Sequence, residues 1–293
     1  MTKYSDYIEK IKQEVKEVVE HNIDNYNYSH VLKQSMSYTA LNFGKMFRAT
    51  LCLALLDDLR GSYDTGVNYA GAIEMTHAYG LIHDDLPALD DARFRRNKMS
   101  NHLVYGEAQA ILAGDALQAG AYDLLAKTNA DAEIVLKLVT LLSSLSGANG
   151  YVGGQSLDII TEHEDRDFLN NEIIEKIHYG KTGALVEAAV LGAGYLAKVD
   201  DDKLAKLKEM ALEIGLSFQI RDDILDITKG EKDTGKDAKN DLKKDKTTYP
   251  KLYGLQKSIE IYNKHIAKSY KLIDELLGEK SHTHQVISEM LKL

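Results

Sequence analysis

The chain has 293 residues, of which 44% are hydrophobic and 28% are charged, as in an ordinary globular protein with a sizeable core. Its formal net charge of −9, with no basic stripe carrying interleaved aromatic residues, argues against a nucleic-acid partner. The single cysteine, Cys52, excludes an internal disulfide framework and favours a reducing cytoplasm. No uncharged apolar stretch reaches the roughly 18–20 residues that span a bilayer, and no signal-peptide pattern opens the chain. We therefore expect a soluble cytoplasmic protein without membrane insertion.

Helical periodicity covers most of the chain. Only two prolines occur, Pro87 and Pro250, so there is room for long helices and little for a fold of strands and turns. Apolar residues recur at spacings of three and four in three windows, residues 69–82, 134–145 and 204–225. Short turn signals lie at residues 61–62, 146–150 and 200–202. This pattern predicts an all-α protein, a single large helical bundle that forms one domain over residues 1–293.

The first candidate site residues in chain order are basic and lie in the segment GKMFR at residues 44–48. On a helix, Lys45 and Arg48 stand three residues apart, so both side chains can reach one anion. An ordinary surface pair fits the same spacing. His77 lies two helical turns before Asp84 and therefore shares its face.

An aspartate-rich cluster, DDLPALD at residues 84–90, follows the helix predicted over residues 69–82. Asp84 and Asp90 are six residues apart, which places them on different faces of a regular helix. Pro87 interrupts the backbone hydrogen bonds between them, so a kink or bulge can turn Asp90 back toward Asp84.

A second cluster, DDILD at residues 222–226, lies on a predicted helix where Asp222 and Asp226 share a face. A solvated acidic turn is the simplest explanation of one such pair. Both clusters, however, lie among apolar residues, where unpaired negative charge is costly to bury. Basic residues follow each cluster: Arg93, Arg95, Arg96 and Lys98 after the first, Lys236 and Lys246 after the second. Carboxylates that hold magnesium, with cations that hold phosphate, predict a diphosphate site.

Two other metal-site interpretations fit single motifs. Residues 74–77 and 175–178 both read Glu-x-x-His, a pair typical of di-iron bundles, which need a glutamate from each of two further helices as well. The doublet His83-Asp84 is typical of helical metal-dependent phosphohydrolases, but no matching set of remote histidines accompanies it. A di-iron site, moreover, has no use for the doubled aspartates or for Lys45, Arg95 and Arg96.

Together these motifs resemble those of the trans-isoprenyl diphosphate synthases, the polyprenyl synthetase family, over essentially the whole chain. Residues 74–91, with Arg95 and Arg96, are similar to the first aspartate-rich motif in its bacterial form, which is two residues longer. Residues 218–226 are similar to the second motif. Smaller signatures follow in the family's order: GGQSLD at 153–158, GKTGAL at 180–185 and KTTYP at 246–250. The chain departs from the pattern at flanking positions: Phe43, Ala92, Arg93, Asn97 and Met99.

The resemblance implies a helical bundle of the isoprenoid synthase type around a central cavity, in which three Mg²⁺ ions support a head-to-tail (1′-4) condensation. The implied magnesium ligands are Asp84, Asp85, Asp90, Asp222, Asp223 and Asp226. The allylic diphosphate is expected on Arg95, Lys181, Lys236 and Lys246. Isopentenyl diphosphate is expected on Lys45, Arg48, His77 and Arg96. Thr182 and Gln219 are expected to steady the allylic cation, so that they, Lys181 and Arg95 form the catalytic set.

The resemblance also bears on product length and assembly. A bulky Tyr79, five residues before Asp84 and next to Gly80, resembles enzymes that stop at the fifteen-carbon product, farnesyl diphosphate. The twenty-carbon product, geranylgeranyl diphosphate, is the alternative, and Tyr79 could instead be core packing. A homodimer is implied. A non-catalytic partner subunit would be expected to have lost aspartates, and none of the six is missing; an iron-binding bundle is the other remote alternative.

Overall fold

The computed structural model describes residues 3–163, 171–228 and 248–293. The first half contains α1 (Lys3–Asp24), α2 (His30–Ala40), α3 (Phe47–Asp58), α4 (Tyr63–Asp84), α5 (Asn101–Tyr105), α6 (Glu107–Ala126) and α7 (Ala132–Ser146). The second half contains α8 (Tyr151–His163), α9 (Asn171–His178), α10 (Ala184–Leu196), α11 (Asp201–Thr228), α12 (Tyr249–Tyr253), α13 (Leu255–Leu277) and α14 (His282–Met290). A π-helical turn, Tyr179–Gly183, joins α9 to α10. The described chain is thus an all-α bundle, as predicted.

The centre of the bundle is built from helices that are apolar on every side. In α3 every residue from Phe47 to Leu56 is buried, and α10 is buried almost throughout. A helix that is apolar all round belongs in a core. Both helices pack against α4, and α10 also packs against α11. The outer helix α1 buries a single stripe of residues spaced three and four apart: Ile8, Ile11, Val15, Val19 and Ile23. The site motifs on α4 and α11 are therefore carried by central helices.

The three predicted helical windows lie within α4, α7 and α11. The face of α7 is narrower than the sequence suggests, since Leu138 and Leu142 are buried while Leu136 is 65% exposed. None of the described helices is long and apolar enough to cross a membrane.

One small β-hairpin is not predicted by the sequence. Its strands β1 (Phe94–Arg95) and β2 (Lys98–Met99) are antiparallel, and Arg96 and Asn97 form the turn with φ angles of 52° and 62°. Two-residue hairpin turns of this kind need positive φ at both positions, for which Asn-Gly is the usual signal. Here the two turn positions are Arg96 and Asn97. A left-handed conformation is costly for an arginine and the turn contains no glycine, so the sequence gives no sign of the hairpin.

Candidate active site

The first aspartate cluster begins where α4 ends. Asp84 is the last residue of the helix and is 9% exposed, and the Tyr151 hydroxyl donates a hydrogen bond to its Oδ2 at 2.9 Å. Burial raises the pKa of the Asp84 carboxyl, while the positive charge of Lys181 lowers it. The carboxylate at this position is therefore costly to leave without a compensating cation.

The chain after Asp84 turns back on itself, as the position of Pro87 predicts. The Asp90 amide donates to the Asp84 carbonyl at 2.8 Å, and the Asp91 amide donates to the Leu86 carbonyl at 3.0 Å. Rather than kinking, α4 ends before the proline and a compact turn follows. The turn brings the backbone of Asp90 against that of Asp84.

Asp85 is held by the hairpin. It is 2% exposed and accepts two hydrogen bonds at Oδ1 from Arg95, at 2.9 Å from Nε and 2.5 Å from Nη2. Burial raises the pKa of Asp85, and the guanidinium beside it lowers that pKa. Next along the hairpin, Arg96 donates from Nη1 to the Asn42 carbonyl at 2.7 Å. The hairpin thus delivers both arginines of the motif, one to the aspartates and one toward the basic segment.

The second cluster lies on the regular helix α11. Asp223 is 5% exposed and accepts hydrogen bonds from Gln219 Nε2 at 2.8 Å and from the Tyr249 amide at 3.0 Å. Burial raises the pKa of Asp223 to about 7 against these two hydrogen bonds, and the negative charges of its neighbouring aspartates act in the same direction. Asp222 pairs with Arg221 at 3.1 Å, and Asp226 is exposed one turn further on.

A chain of side chains joins the second cluster to the π-helical turn. Thr182 Oγ1 donates to Gln219 Oε1 at 2.8 Å, and Gln219 in turn donates to Asp223. Lys181 in the same turn forms an ion pair with Asp158 of α8. π-helical turns are often found at functional sites. Here the turn directs two consecutive side chains, those of Lys181 and Thr182, into the site.

Glycines allow the π-helical turn to approach its neighbours. A Cβ on Gly154 would lie 2.6 Å from the Gly180 Cα, and a Cβ on Gly215 would lie 2.8 Å from the Gly183 Cα. At such separations only residues without side chains let the backbones meet. The glycines of the GGQSLD and GKTGAL signatures therefore have a direct steric function.

The basic segment places Arg48 between the two clusters. Arg48 is 7% exposed on α3, and its Nη1 lies 3.4 Å from His77 Nε2. Burial lowers the pKa of Arg48, while Glu74, Tyr151 and Asp222 raise it. Lys45 is exposed just before the helix. Burial, with the charge of Arg48, lowers the pKa of His77 to about 4, so its imidazole is neutral at pH 7.

Tyr79 and Gly80 lie one turn before Asp84 and are both buried. The Tyr79 ring packs edge-on against Tyr151 with centroids 6.3 Å apart, and its hydroxyl donates to the Ser146 carbonyl at 3.4 Å. A Cβ on Gly80 would come within 2.2 Å of the Tyr151 ring. These contacts join α4, one turn before the first cluster, to the end of α7 and to the start of α8.

The donor set fits magnesium bound together with a diphosphate. Within the described ranges, no three histidine, cysteine, aspartate or glutamate side chains stand close enough to hold a metal ion by themselves. Buried oxygen donors with raised pKa values nonetheless favour a hard cation, and magnesium commonly binds through one or two carboxylates plus substrate phosphates. Lys236 and Lys246 lie outside the described residues.

The di-iron interpretation finds no support in the geometry. Glu74 accepts a hydrogen bond from the Ala49 amide at 3.2 Å and lies 3.8 Å from His77, so it serves the basic segment. In the second motif, Glu175 is exposed, whereas His178 is buried 3.7 Å from Asp223. The two motifs thus serve different parts of the site.

Three residues that contact the site are not among the residues predicted to bind metal or substrate. Tyr151 donates a hydrogen bond to Asp84, and Glu74 lies 3.8 Å from His77. Glu187, 3% exposed, accepts a hydrogen bond from Tyr179 at 2.7 Å and anchors the start of the π-helical turn. The Glu-x-x-His spacing could have pointed to Glu74. For Tyr151 and Glu187 no local pattern signals the contact.

Comparison with known proteins identifies the family. The model of the polyprenyl synthetase family matches residues 29–293. A farnesyl diphosphate synthase of Micrococcus luteus is 41% identical over 84% of this chain and 83% of its own length. The large subunit 1 of the chloroplastic heterodimeric geranylgeranyl pyrophosphate synthase of Arabidopsis thaliana is 43% identical over 84% of this chain and 67% of its own length.

Solved structures agree with the sequence relatives. An FPP/GFPP synthase from Zymomonas mobilis superposes with a TM-score of 0.87 at 27% identity, covering 99% of both chains. A geranyltransferase from Helicobacter pylori, complexed with magnesium and isoprenyl diphosphate, superposes with a TM-score of 0.80 at 27% identity over 99% of this chain and 97% of that one. The chain belongs to the polyprenyl synthetase family and is a trans-prenyltransferase.

Proposed function

We propose that this enzyme condenses isopentenyl diphosphate head to tail with dimethylallyl and geranyl diphosphate, yielding mainly farnesyl diphosphate. The observation that carries this proposal is the meeting of buried carboxylates with three cations. The positive charges of Lys181 and Arg95 lower the pKa of Asp84, and the negative charge of Asp222 raises the pKa of Arg48. Such a set binds a ligand more negative than the protein, together with the cations that ligand brings.

Magnesium would be held by Asp84, Asp85, Asp90, Asp222, Asp223 and Asp226, and three ions is the expected number. The complex of the Helicobacter pylori geranyltransferase with magnesium and isoprenyl diphosphate supports magnesium as the metal. When bound, the ions neutralise the negative charge that develops on the leaving diphosphate.

The cations divide between the two substrates. Arg95 and Lys181 would hold the allylic diphosphate, helped by Lys236 and Lys246. Lys45, Arg48, His77 and Arg96 would hold isopentenyl diphosphate. Because its pKa of about 4 leaves His77 neutral, we expect it to contribute a hydrogen bond rather than a charge.

The reaction breaks the bond between C1 and oxygen in the allylic diphosphate and joins that carbon to C4 of isopentenyl diphosphate. A proton then leaves C2 of the isopentenyl unit for the released diphosphate, so no side-chain base is required. The oxygen dipoles of Thr182 and Gln219, hydrogen-bonded to each other at 2.8 Å, would steady the allylic cation. Because Thr182 is buried, water that would capture this cation is kept from that side of the site.

Product length would be set by Tyr79. Its side chain is buried one turn before Asp84 and is braced by Tyr151. A bulky ring at this depth leaves less room for a growing chain than a small residue. The twenty-carbon product remains the second candidate because relatives of comparable identity carry both names.

The decisive experiment incubates the purified enzyme with magnesium, isopentenyl diphosphate and, separately, dimethylallyl, geranyl and farnesyl diphosphate, and then sizes the products. We expect a fifteen-carbon product from the first two substrates and little extension of the third. Tyr79→Ala is expected to lengthen the products, whereas Tyr79→Phe, which keeps the ring, is not. No turnover with any allylic substrate would overturn the proposed activity; unchanged products in Tyr79→Ala would overturn only the role of Tyr79.

We further propose that the whole chain acts as one domain, that it forms a homodimer and that it works in the cytoplasm. Exposed apolar side chains on α5 and α6 support a second copy as partner: Leu103, Val104, Ile111 and Leu112. Light scattering at micromolar concentration tests the dimer, and a monomer mass would contradict it. The single buried cysteine, Cys52, is compatible with a reducing compartment.

A further inference from the structure

We propose that Tyr151 is a positioning residue that orients the Asp84 carboxylate toward the divalent cations. This inference rests on the proposed function, since it concerns how a magnesium ligand is held. Tyr151 is the first residue of α8, it is 5% exposed, and its hydroxyl lies 2.9 Å from Asp84 Oδ2. None of the sequence motifs gives this tyrosine a role.

The hydrogen bond has one direction. An ionised carboxylate can only accept, so the phenol must donate its single proton to Oδ2. A charge-assisted hydrogen bond of this kind is stronger than one between neutral groups. With Oδ2 held by Tyr151, the rotation of the carboxylate is restricted and the remaining lone pairs keep a defined direction. Groups that hold a metal ligand in this way commonly change metal affinity 10–100-fold when they are lost, by the general rule for outer-shell partners.

Gly80 is what lets the tyrosine reach this position. Gly80 and Asp84 are four residues apart on α4 and therefore lie on one face of the helix. A Cβ on Gly80 would lie 2.2 Å from Cε1 and 2.4 Å from the hydroxyl oxygen of Tyr151. The ring therefore lies directly on the backbone of residue 80, and any side chain there would push it away from Asp84.

The other end of the tyrosine is fixed by its own helix. The glycine-rich turn before α8 is closed by hydrogen bonds from the Gly150 and Gly153 amides to the Gly147 carbonyl, at 3.1 and 3.3 Å. Asp158, two turns after Tyr151 on α8, pairs with Lys181. The helix α8 thus contacts both Asp84, through Tyr151, and Lys181, through Asp158. Lys181 is the residue whose positive charge lowers the pKa of Asp84.

The test is the affinity for magnesium in the presence of inorganic diphosphate, measured by calorimetry on the full chain without turnover. Tyr151→Phe keeps the ring and removes only the donor, and we expect the magnesium affinity to fall about tenfold. Tyr69→Phe is the matched control, because this fully buried phenol donates to the Ala188 carbonyl at 2.8 Å, away from the site. Tyr69→Phe should lose about as much thermal stability as Tyr151→Phe but keep the wild-type magnesium affinity.

Gly80→Ala is the second variant, which displaces the Tyr151 ring but leaves its hydroxyl group in the sequence. It should weaken magnesium binding in the wild-type background and add nothing in Tyr151→Phe. Wild-type magnesium affinity in folded Tyr151→Phe would overturn the inference, as would an equal loss in Tyr69→Phe. If the wild-type protein itself binds no magnesium with diphosphate, the proposed function fails instead.

Discussion

The two aspartate clusters carry similar groups but are held in place differently. Asp84 takes its hydrogen bond from Tyr151, which is 67 residues away in the chain, and Asp85 is held by Arg95 from the hairpin. In the second cluster, Asp222 pairs with the adjacent Arg221, and Asp223 accepts from Gln219 one turn earlier on α11. The first cluster therefore depends on the packing of separate elements, whereas the second takes two of its contacts from the helix that carries it and one, from the Tyr249 amide, from another helix.

The difference between the two clusters is tested most strongly by neutralising one aspartate in each. Asp84→Asn should lower kcat by about 10³-fold, roughly 4 kcal/mol of transition-state stabilisation, because it removes a buried carboxylate that is proposed to hold magnesium. Since burial raises the pKa of Asp84, a neutral side chain should leave the free energy of unfolding unchanged or higher. The exposed Asp226 should tolerate asparagine with a loss of only about tenfold in kcat. Steady-state kinetics and urea unfolding measure both, and an equal loss from the two variants would contradict the asymmetry.

The ion pairs of the two clusters should also differ in how much they contribute to the free energy of unfolding. Arg95→Gln leaves Asp85 buried without its partner, so the free energy of unfolding should fall by roughly 3 kcal/mol. Arg221→Gln removes a pair whose aspartate side chain is 40% exposed, and about 1 kcal/mol is expected. Urea unfolding with a common m-value checks the order. In Arg95→Gln/Asp85→Asn, which has no unpaired buried charge, most of the loss should disappear.

Two histidines of the site, the partly buried His77 next to Arg48 and the buried His178 next to Asp223, should make the protein sensitive to acid. The pKa of His77 is lowered by burial from 6.5 to about 4, and that of His178 is lowered by burial to about 4 as well. The unfolded chain therefore takes up protons between pH 6.5 and 4 that the folded protein does not, so stability is lost as the pH falls through this window. For one such group the loss is about 2 kcal/mol by pH 5.

The measurement is urea unfolding at pH 7, 6 and 5 for the wild type, His77→Gln and His178→Gln. Each variant should show a flatter fall in stability with acid than the wild type. A wild-type slope in both variants would mean that neither imidazole stays neutral in the folded protein.

The smallest effect is expected from the hydrogen-bond chain of the second cluster. Gln219→Leu should lower kcat about tenfold, or about 1.4 kcal/mol, because Thr182 and Asp223 both lose their partner. Thr182→Val should lower it by less. If the chain acts as a unit, the double variant will lose less than the sum of the two, and strict additivity in the cycle would argue against it.

Much of this protein follows from local patterns in the chain. The periodicity of apolar residues predicts α4 and α11, and the scarcity of proline predicts the all-α class. The return of Asp90 toward Asp84 follows from Pro87, since the backbone contact is closed within a few residues. The resemblance of the motifs also predicts the family, which the comparisons confirm.

Other features were decided only by the tertiary structure. The hairpin that delivers Arg95 has no glycine signal in its turn, and the π-helical turn around Lys181 has no distinctive sequence spacing. The contacts of Tyr151 with Asp84 and Gly80 join residues on different helices, so no periodicity within either helix reveals them. Composition and spacing determine which helices form and what charges they carry. How closely two helices approach, and which side chain then completes a buried carboxylate, depends on packing between residues far apart in the sequence.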